Sequence, residues 1–360
     1  VTAAGKILIV GPSWIGDMVM AQSLYRLLRE GRGAPEIHVV APPWSIPVLA
    51  RMPEVTRAIE LDVRHGELGL RRRYALGIRL RAENYDRAIV LPRSAKAALV
   101  PWFARVRVRT GFRGEWRYGL LNDVRRLDER LDQTVKRFVA LGEPAGASVG
   151  QSVAERLRPA LVLDGDNLKR LTRDLKLPEA GPRIALMPGA EYGPAKRWPL
   201  ERFAEVGAAL AAEGVTVLVL GSAKERALGE AIASAGGAGV VNLCGRTELV
   251  DAVDLLGSVE VAVTNDSGLM HIAAATPARV VAIYGSSSPA FTPPLSAAAD
   301  VLYRGVECSP CFQRTCPLSH FRCMREITVQ AVLAAVRAGL GASREIAEAA
   351  PGRGRGRADV

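Results

Sequence analysis

Short apolar runs recur along this chain, separated by stretches in which apolar residues follow a helical period. In the first half the runs at 6–10, 37–41, 58–61, 87–91 and 106–110 read as buried strands. Between them, 17–29, 67–81, 95–104 and 129–141 carry the spacing of amphipathic helices. The second half repeats the alternation, with strands expected at 183–187, 215–220, 240–242, 259–264 and 279–284. Its helices are expected at 200–213, 223–235, 248–256 and 268–275. Strand–helix alternation of this kind specifies parallel α/β units. The expected fold is therefore α/β, with two Rossmann-like domains facing across a cleft.

The expected boundaries follow from composition. Residues 1–150 form the first domain and 151–325 the second, and 142–150, rich in small residues around Pro144, joins them. A terminal helix at 326–342, centred on 328–340, is expected to cross back to the first domain. The basic tail at 343–360, ending in Gly and Arg repeats, is expected to be disordered.

Length and composition allow this arrangement: 360 residues suffice for two cores, and the chain is 49% hydrophobic and 5% aromatic. No apolar run approaches the roughly 20 residues that span a bilayer. The run Ile7-Leu8-Ile9-Val10 is too short for a signal-peptide core and reads better as a first strand, so a cytoplasmic location is expected.

Charge is uneven. Residues 1–150 hold 25 Lys and Arg against 15 Asp and Glu, whereas residues 151–360 hold 23 against 22. The basic excess concentrates at Arg71, Arg72, Arg73, Arg79 and Arg81, and at Arg105, Arg107, Arg109, Arg113 and Arg117. Such a patch is either a solvated face or a surface for an anionic partner such as nucleic acid, a phosphorylated glycolipid or a membrane. No nucleic-acid-binding signature accompanies it, so nucleic acid is not expected.

The chemistry concentrates at strand ends. Thr264-Asn265-Asp266-Ser267-Gly268-Leu269-Met270-His271 reads as a strand closing into a turn that opens a helix. Backbone N–H groups at Ser267 and Gly268 then lack helical partners, and such an end attracts phosphate. A second phosphate-friendly element runs from Pro188-Gly189-Ala190 to Lys196-Arg197-Trp198-Pro199. Two such elements in one half suggest a diphosphate ligand. After the first strand, Gly11-Pro12-Ser13-Trp14-Ile15-Gly16-Asp17 is a Gly-rich turn that fits neither a P-loop nor a dinucleotide fingerprint. Asp17 is either a first-turn residue favoured by the helix dipole or a carboxylate placed to take a proton from a hydroxyl. Near the second unit's nucleotide side, Lys224 and Glu225 are either ligand-facing or a solvated first turn.

Taken together, these segments resemble the lipopolysaccharide heptosyltransferases, glycosyltransferase family 9. The resemblance rests on 6–18, Arg51-Met52-Pro53-Glu54-Val55, Tyr118 to Arg125, the two phosphate-friendly elements, and Ser287 to Ser296. It implies the GT-B fold and inverting transfer of heptose from ADP-L-glycero-D-manno-heptose. The implied acceptor is the first heptose of the Kdo–lipid A core, an anionic glycolipid on the inner face of the bacterial inner membrane, which the enzyme would meet peripherally. By the same resemblance Asp17 is the base and Lys196 neutralises the departing diphosphate. Donor contacts fall to Ser13, Gly16, Gly189, Arg197, Lys224, Asp266, Ser267, Gly268, Leu269 and His271. The alternative for His271 is a core histidine. Arg71, Arg72 and Arg113 are the acceptor candidates. Two further readings stand beside this one: a first-heptose or other nucleotide-sugar transferase of the same family, and a non-catalytic glycolipid-binding protein.

No essential catalytic metal is expected, because Asp164-Gly165-Asp166, formally D-x-D, sits in a turn-like context suited to a helix cap. Cys308, Cys311, Cys316 and Cys323 have the spacing of a structural zinc knuckle, with reduced packing cysteines and a redox role as alternatives. Cys244 reads as a buried small hydrophobe.

Overall fold

The computed structural model describes residues 5–31, 33–64, 66–147, 149–150 and 155–349, with side chains through Ala342. Two six-stranded parallel sheets carry the fold. The first is built from β1 (Lys6–Val10), β2 (Glu36–Ala41), β3 (Arg57–Glu60), β4 (Arg87–Val90), β5 (Val108–Phe112) and β6 (Asp123–Arg125). Its spatial order is β3-β2-β1-β4-β5-β6. The second uses β7 (Arg183–Met187), β8 (Thr216–Val219), β9 (Val240–Asn242), β10 (Val261–Asn265), β11 (Arg279–Tyr284) and β12 (Ala299–Tyr303), ordered β12-β11-β10-β7-β8-β9. Both orders are the doubly wound 3-2-1-4-5-6 pattern. Its ligand crevice lies beyond the carboxyl ends of the two central strands, where the winding reverses. Here those ends are β1 and β4 in one sheet, β7 and β10 in the other.

The central strands are almost wholly buried, as a parallel sheet covered on both faces requires. In the first unit the covering helices are α1 (Ile15–Glu30), α2 (Ile46–Leu49), α3 (Leu70–Leu80), α4 (Leu99–Phe103) and α5 (Thr134–Gly142). The second has α6 (Gly165–Asp174), α7 (Leu200–Ala212), α8 (Arg226–Gly236), α9 (Leu249–Leu256), α10 (Gly268–Ala274), α11 (Arg322–Arg325) and α12 (Val329–Ala349).

The units share one hydrophobic cluster: Met18 and Val19 of α1 belong with Met270, Ile272 and Ala273 of α10. Leu157 and Leu161, on the segment entering the second unit, join it, and the Gln22 amide exchanges two hydrogen bonds with the Ala160 backbone (2.8 and 3.0 Å). Arg51, just after α2, reaches across to the fully buried Asp254 at 2.5 Å.

Several expectations change. Through Leu340 the last helix packs on the second sheet instead of crossing back, with Val332, Val336 and Leu340 in that sheet's core cluster. Gly339 lets it lie against Val261 and Arg279. The helix runs on to Ala349, so 343–349 are helical where a disordered tail was expected; the good helix formers of 342–349 explain this. The rest of that tail lies outside the described residues. α6 was not anticipated: Asp164 caps it by accepting from the Asp166 and Asn167 N–H groups (3.0 Å each), so the D-x-D is a helix start. No helix among the described residues is long and apolar enough to cross a membrane.

Candidate active site

The four crevice-forming strand ends meet where the N-termini of α1 and α10 abut. The contact depends on two glycines. A Cβ at Gly16 would lie 2.6 Å from His271 Cδ2, and one at Gly268 would lie 3.1 Å from Ile15 Cβ. Only the bare backbone lets the two helix ends approach this closely.

Asp17 sits in the first turn of α1 at this junction. Burial pushes its carboxyl up from 3.8 to about 6, against the pull of Lys196 and with a further rise from Asp266. Lys196 ends a one-turn 3₁₀ helix after β7 and pairs with Asp266, just beyond β10, at 2.5 Å. Its ammonium also lies 5.0 Å from the centre of the Tyr192 ring. His271 is buried, and burial holds its imidazole down at about 4, with Lys196 adding to the fall and Asp266 opposing it. It is a neutral ring near pH 7, packed on Gly16.

Sequence reasoning missed Asn265. Its buried amide accepts from the Trp198 N–H (3.0 Å) and donates to the Pro188 carbonyl (2.8 Å). It thereby ties both ends of the Lys196 loop to β10. Buried Trp198 anchors the same loop through its indole N–H to the Ile327 carbonyl (2.9 Å). An asparagine beside the conspicuous Asp266-Ser267-Gly268 turn was the available signal.

Cavities open on either side of the junction. A cleft of about 580 Å³ in the first unit is lined by Ser13, Trp14 and Asp17, with Arg64, Arg93, Lys96 and Arg137 among its cations. A pocket of about 320 Å³ in the second unit is lined by Gly189, Ser267, Gly268 and Leu269, with Glu191, Glu225 and Glu248 at its walls. Ser267 caps α10, its hydroxyl accepting from the Met270 N–H at 3.4 Å. Glu225 closes a capping box with Ser222 (2.7 Å) and lies against Gly189, where any Cβ would collide with it.

Some expected site residues fall elsewhere. Ser13, expected at the donor, lines the first unit's cleft, since the turn at Gly11 to Trp14 projects from the first sheet. Arg197, expected at the donor, does not line the second unit's pocket. It donates to the Ala190 carbonyl (3.2 Å) and lines a separate surface hollow with Trp198 and Met324. Lys224 stands exposed outside the pocket, paired with Glu191 at 2.9 Å. Arg71, Arg72 and Arg113 are exposed and do not line the cleft. The second basic patch is partly consumed by structure: Arg109 donates to the carbonyls of Val106, Gly119 and Leu120, and buried Arg117 to those of Pro92 and Phe112. These guanidiniums satisfy the irregular backbone around β5 and β6.

The four clustered cysteines surround a void of about 20 Å³ together with Ala195 and His320. All are free thiols, and among the described residues no three His, Cys, Asp or Glu side chains are arranged to hold a metal. Their segment braces the Lys196 loop: the Arg314 carbonyl accepts from the Ala195 N–H (3.0 Å), and the Phe312 carbonyl from the Tyr192 hydroxyl (2.7 Å).

A buried carboxylate at a helix end, a lysine–aspartate pair near it and a cavity on each side thus come together where the two units meet. Residues 73–322 match the profile of glycosyltransferase family 9 (heptosyltransferase). The chain belongs to glycosyltransferase family 9. It is 47% identical to lipopolysaccharide heptosyltransferase 2 of Salmonella typhimurium over 304 residues, which cover 82% of this chain and 87% of that one. It is 26% identical to lipopolysaccharide heptosyltransferase 1 of Pseudomonas aeruginosa over 338 residues, covering 86% and 87%. The solved structure of E. coli ADP-heptose LPS heptosyltransferase II superposes with a TM-score of 0.84 at 42% identity, over 94% of this chain and 99% of the other. As a family 9 member with this GT-B architecture, the chain is a glycosyltransferase.

Proposed function

We propose that the chain transfers L-glycero-D-manno-heptose from ADP-heptose, with inversion, to the first heptose of a lipid A-linked inner core. The observation that carries this reading is the junction at Gly16 and His271. It sets Asp17, facing the first unit's cleft, opposite the Lys196–Asp266 pair beside the second unit's pocket. The likeness to heptosyltransferase 2, nearly twice the identity of that to heptosyltransferase 1, supports the choice of acceptor.

In this reading the adenosine end of the donor occupies the pocket of Gly189, Glu225 and Leu269, and the diphosphate lies toward the α10 N-terminus. The acceptor enters the basic cleft. Ionised Asp17 accepts the proton of the acceptor hydroxyl as its oxygen attacks the anomeric carbon. The bond from that carbon to the phosphate oxygen breaks, and its electron pair leaves with ADP. Lys196 offsets the charge that grows on the diphosphate. A carboxylate with its pKa near 6 is mostly ionised at pH 7 yet more basic than an exposed one. The cleft's five cations, Arg64, Arg73, Arg93, Lys96 and Arg137, suit an acceptor bearing carboxylates or phosphates, and a lipid-linked acceptor makes the chain a peripheral protein of the inner membrane's cytoplasmic face.

The test is transfer from ADP-heptose to purified Kdo2–lipid A and to its monoheptosylated form, read by mass spectrometry. Addition of one heptose to the second acceptor alone is expected. Addition to the bare Kdo2 form would move the assignment to the first heptose, and no addition to either would remove the donor assignment.

A further inference from the structure

α3 packs inward through Leu76 and Leu80 but also carries apolar residues on its outer face. Its buried positions include Arg73, whose guanidinium donates to the Leu68 carbonyl (2.7 Å), while Leu70 and Tyr74 face outward at 48% and 52% exposure. Leu68, just before the helix, is 53% exposed, and Trp102 on α4 is 45% exposed. The aromatic side chains pack on one another. Tyr74 meets Phe103 edge-on with ring centres 5.0 Å apart, and Phe103 meets Trp102 at the same distance. Gly77 lets α4 close on α3, since a Cβ there would lie 3.0 Å from the Val100 carbonyl oxygen. Exposed Arg71, Arg72, Arg79, Arg105 and Arg107 accompany this aromatic strip, and among the described residues only Arg72 of these forms an ion pair, with Asp62 at 3.6 Å. The loop that leads into α3 supplies Arg64, Gly66 and Glu67 to the wall of the first unit's cleft.

We propose that the α3–α4 face is the surface by which the protein docks on an anionic bilayer, with Leu70, Tyr74 and Trp102 entering the headgroup boundary and Arg71 and Arg105 meeting lipid phosphates. Trp and Tyr favour this boundary because each joins an apolar body to a polar tip. Arginines bind phosphate and respond to the negative potential of the surface. A packed aromatic strip costs little side-chain entropy on insertion. Docked this way, the cleft wall formed by Arg64, Gly66 and Glu67 lies beside the membrane, so a lipid-anchored acceptor reaches Asp17 without leaving the bilayer. This inference rests on the reading of the acceptor as lipid-linked.

The experiment pairs two measurements on Tyr74→Ser/Trp102→Ser and on Arg71→Ser/Arg105→Ser. The first is partition onto vesicles of phosphatidylcholine with and without about 30% phosphatidylglycerol. The second is kcat/KM on vesicle-embedded monoheptosylated acceptor and on its deacylated, water-soluble form. The aromatic variant is expected to lose at least tenfold in partition and in kcat/KM on the embedded acceptor, and to stay within twofold of the parent on the soluble one. The arginine variant is expected to lose partition on the anionic vesicles only. Parent-like partition of the aromatic variant would overturn the proposal. So would a parallel loss on the soluble acceptor, which would place the strip in the acceptor site itself. If the parent chain transfers to neither acceptor the functional reading fails, while partition still decides the docking surface.

Discussion

Protonation of Asp17 gives the most exacting check on the proposed mechanism. Its rise from 3.8 to about 6 disfavours the ionised form by roughly 3 kcal/mol, and burial is the main cause. Activity that needs the carboxylate then has an acid limb in kcat/KM centred near pH 6, where an exposed aspartate would give a flat profile down to pH 5. About nine-tenths of the chains are ionised at pH 7 and about one-tenth at pH 5, so a roughly tenfold fall is expected between them. His271 does not account for such a limb, because its imidazole titrates near 4. In Lys196→Met the cation that holds Asp17 down is gone, so the limb moves to higher pH while turnover drops.

Stability supplies an independent readout. Between pH 3.8 and about 6 the folded chain keeps a proton on Asp17 that the unfolded chain has released, so this group's contribution to stability falls as pH rises through that window. Asp17→Asn is therefore expected to be more stable than the parent at pH 8, by up to roughly 3 kcal/mol, with the difference vanishing towards pH 4. It is also expected to keep less than about 1% of parental turnover. Thermal melts across pH and initial-rate profiles with both acceptors measure the two effects. A flat kcat/KM profile from pH 7 to 5, or an asparagine variant that turns over within tenfold of the parent, would refute the assignment of Asp17 as base.

Two further substitutions probe how the units are held. Gly16→Ala places a methyl 2.6 Å from the His271 ring, and the forced separation of the helix ends is expected to lower kcat at least tenfold in steady-state assays. Adding His271→Ala, which vacates that space, is expected to restore part of the loss. Arg51→Met removes the cation paired with fully buried Asp254, leaving it the Asp164 N–H and the Asn167 amide, and is expected to cost roughly 3 kcal/mol in urea unfolding, whereas Glu326→Gln, which breaks the exposed pair with Arg322, is expected to cost under about 1 kcal/mol. Equal losses in the two variants would contradict the weight given to burial.

The parallel α/β plan was legible because fully buried strands write themselves as unbroken apolar runs, as in Ile7-Leu8-Ile9-Val10 and Val261-Ala262-Val263. Sheet edges were not. β6 spans three residues, none of them buried, and β12 is five residues with an aspartate near its start and none fully buried, so neither stood out from a loop. α6 was hidden for a related reason: Leu171 is its single buried residue, and a helix so polar reads as a solvated connection. At the site, the turns that follow β1 and β10 were legible from their Gly, Ser and Asp content at strand ends. What those turns do to each other was not. Gly16 looks like any turn glycine until His271 of the other unit is found on its Cα, and Arg51 like any surface arginine until Asp254, about two hundred residues away, is found beneath it. The same holds for the arginines. Composition marked Arg109 and Arg117 as a basic patch, but backbone carbonyls claim them, and the cations that line the cleft, Arg64, Arg73, Arg93, Lys96 and Arg137, come from separate loops and helices, with Arg73 alone drawn from the patches. Charge read along the chain locates a basic unit; only the winding of the sheet decides which of its cations share a ligand.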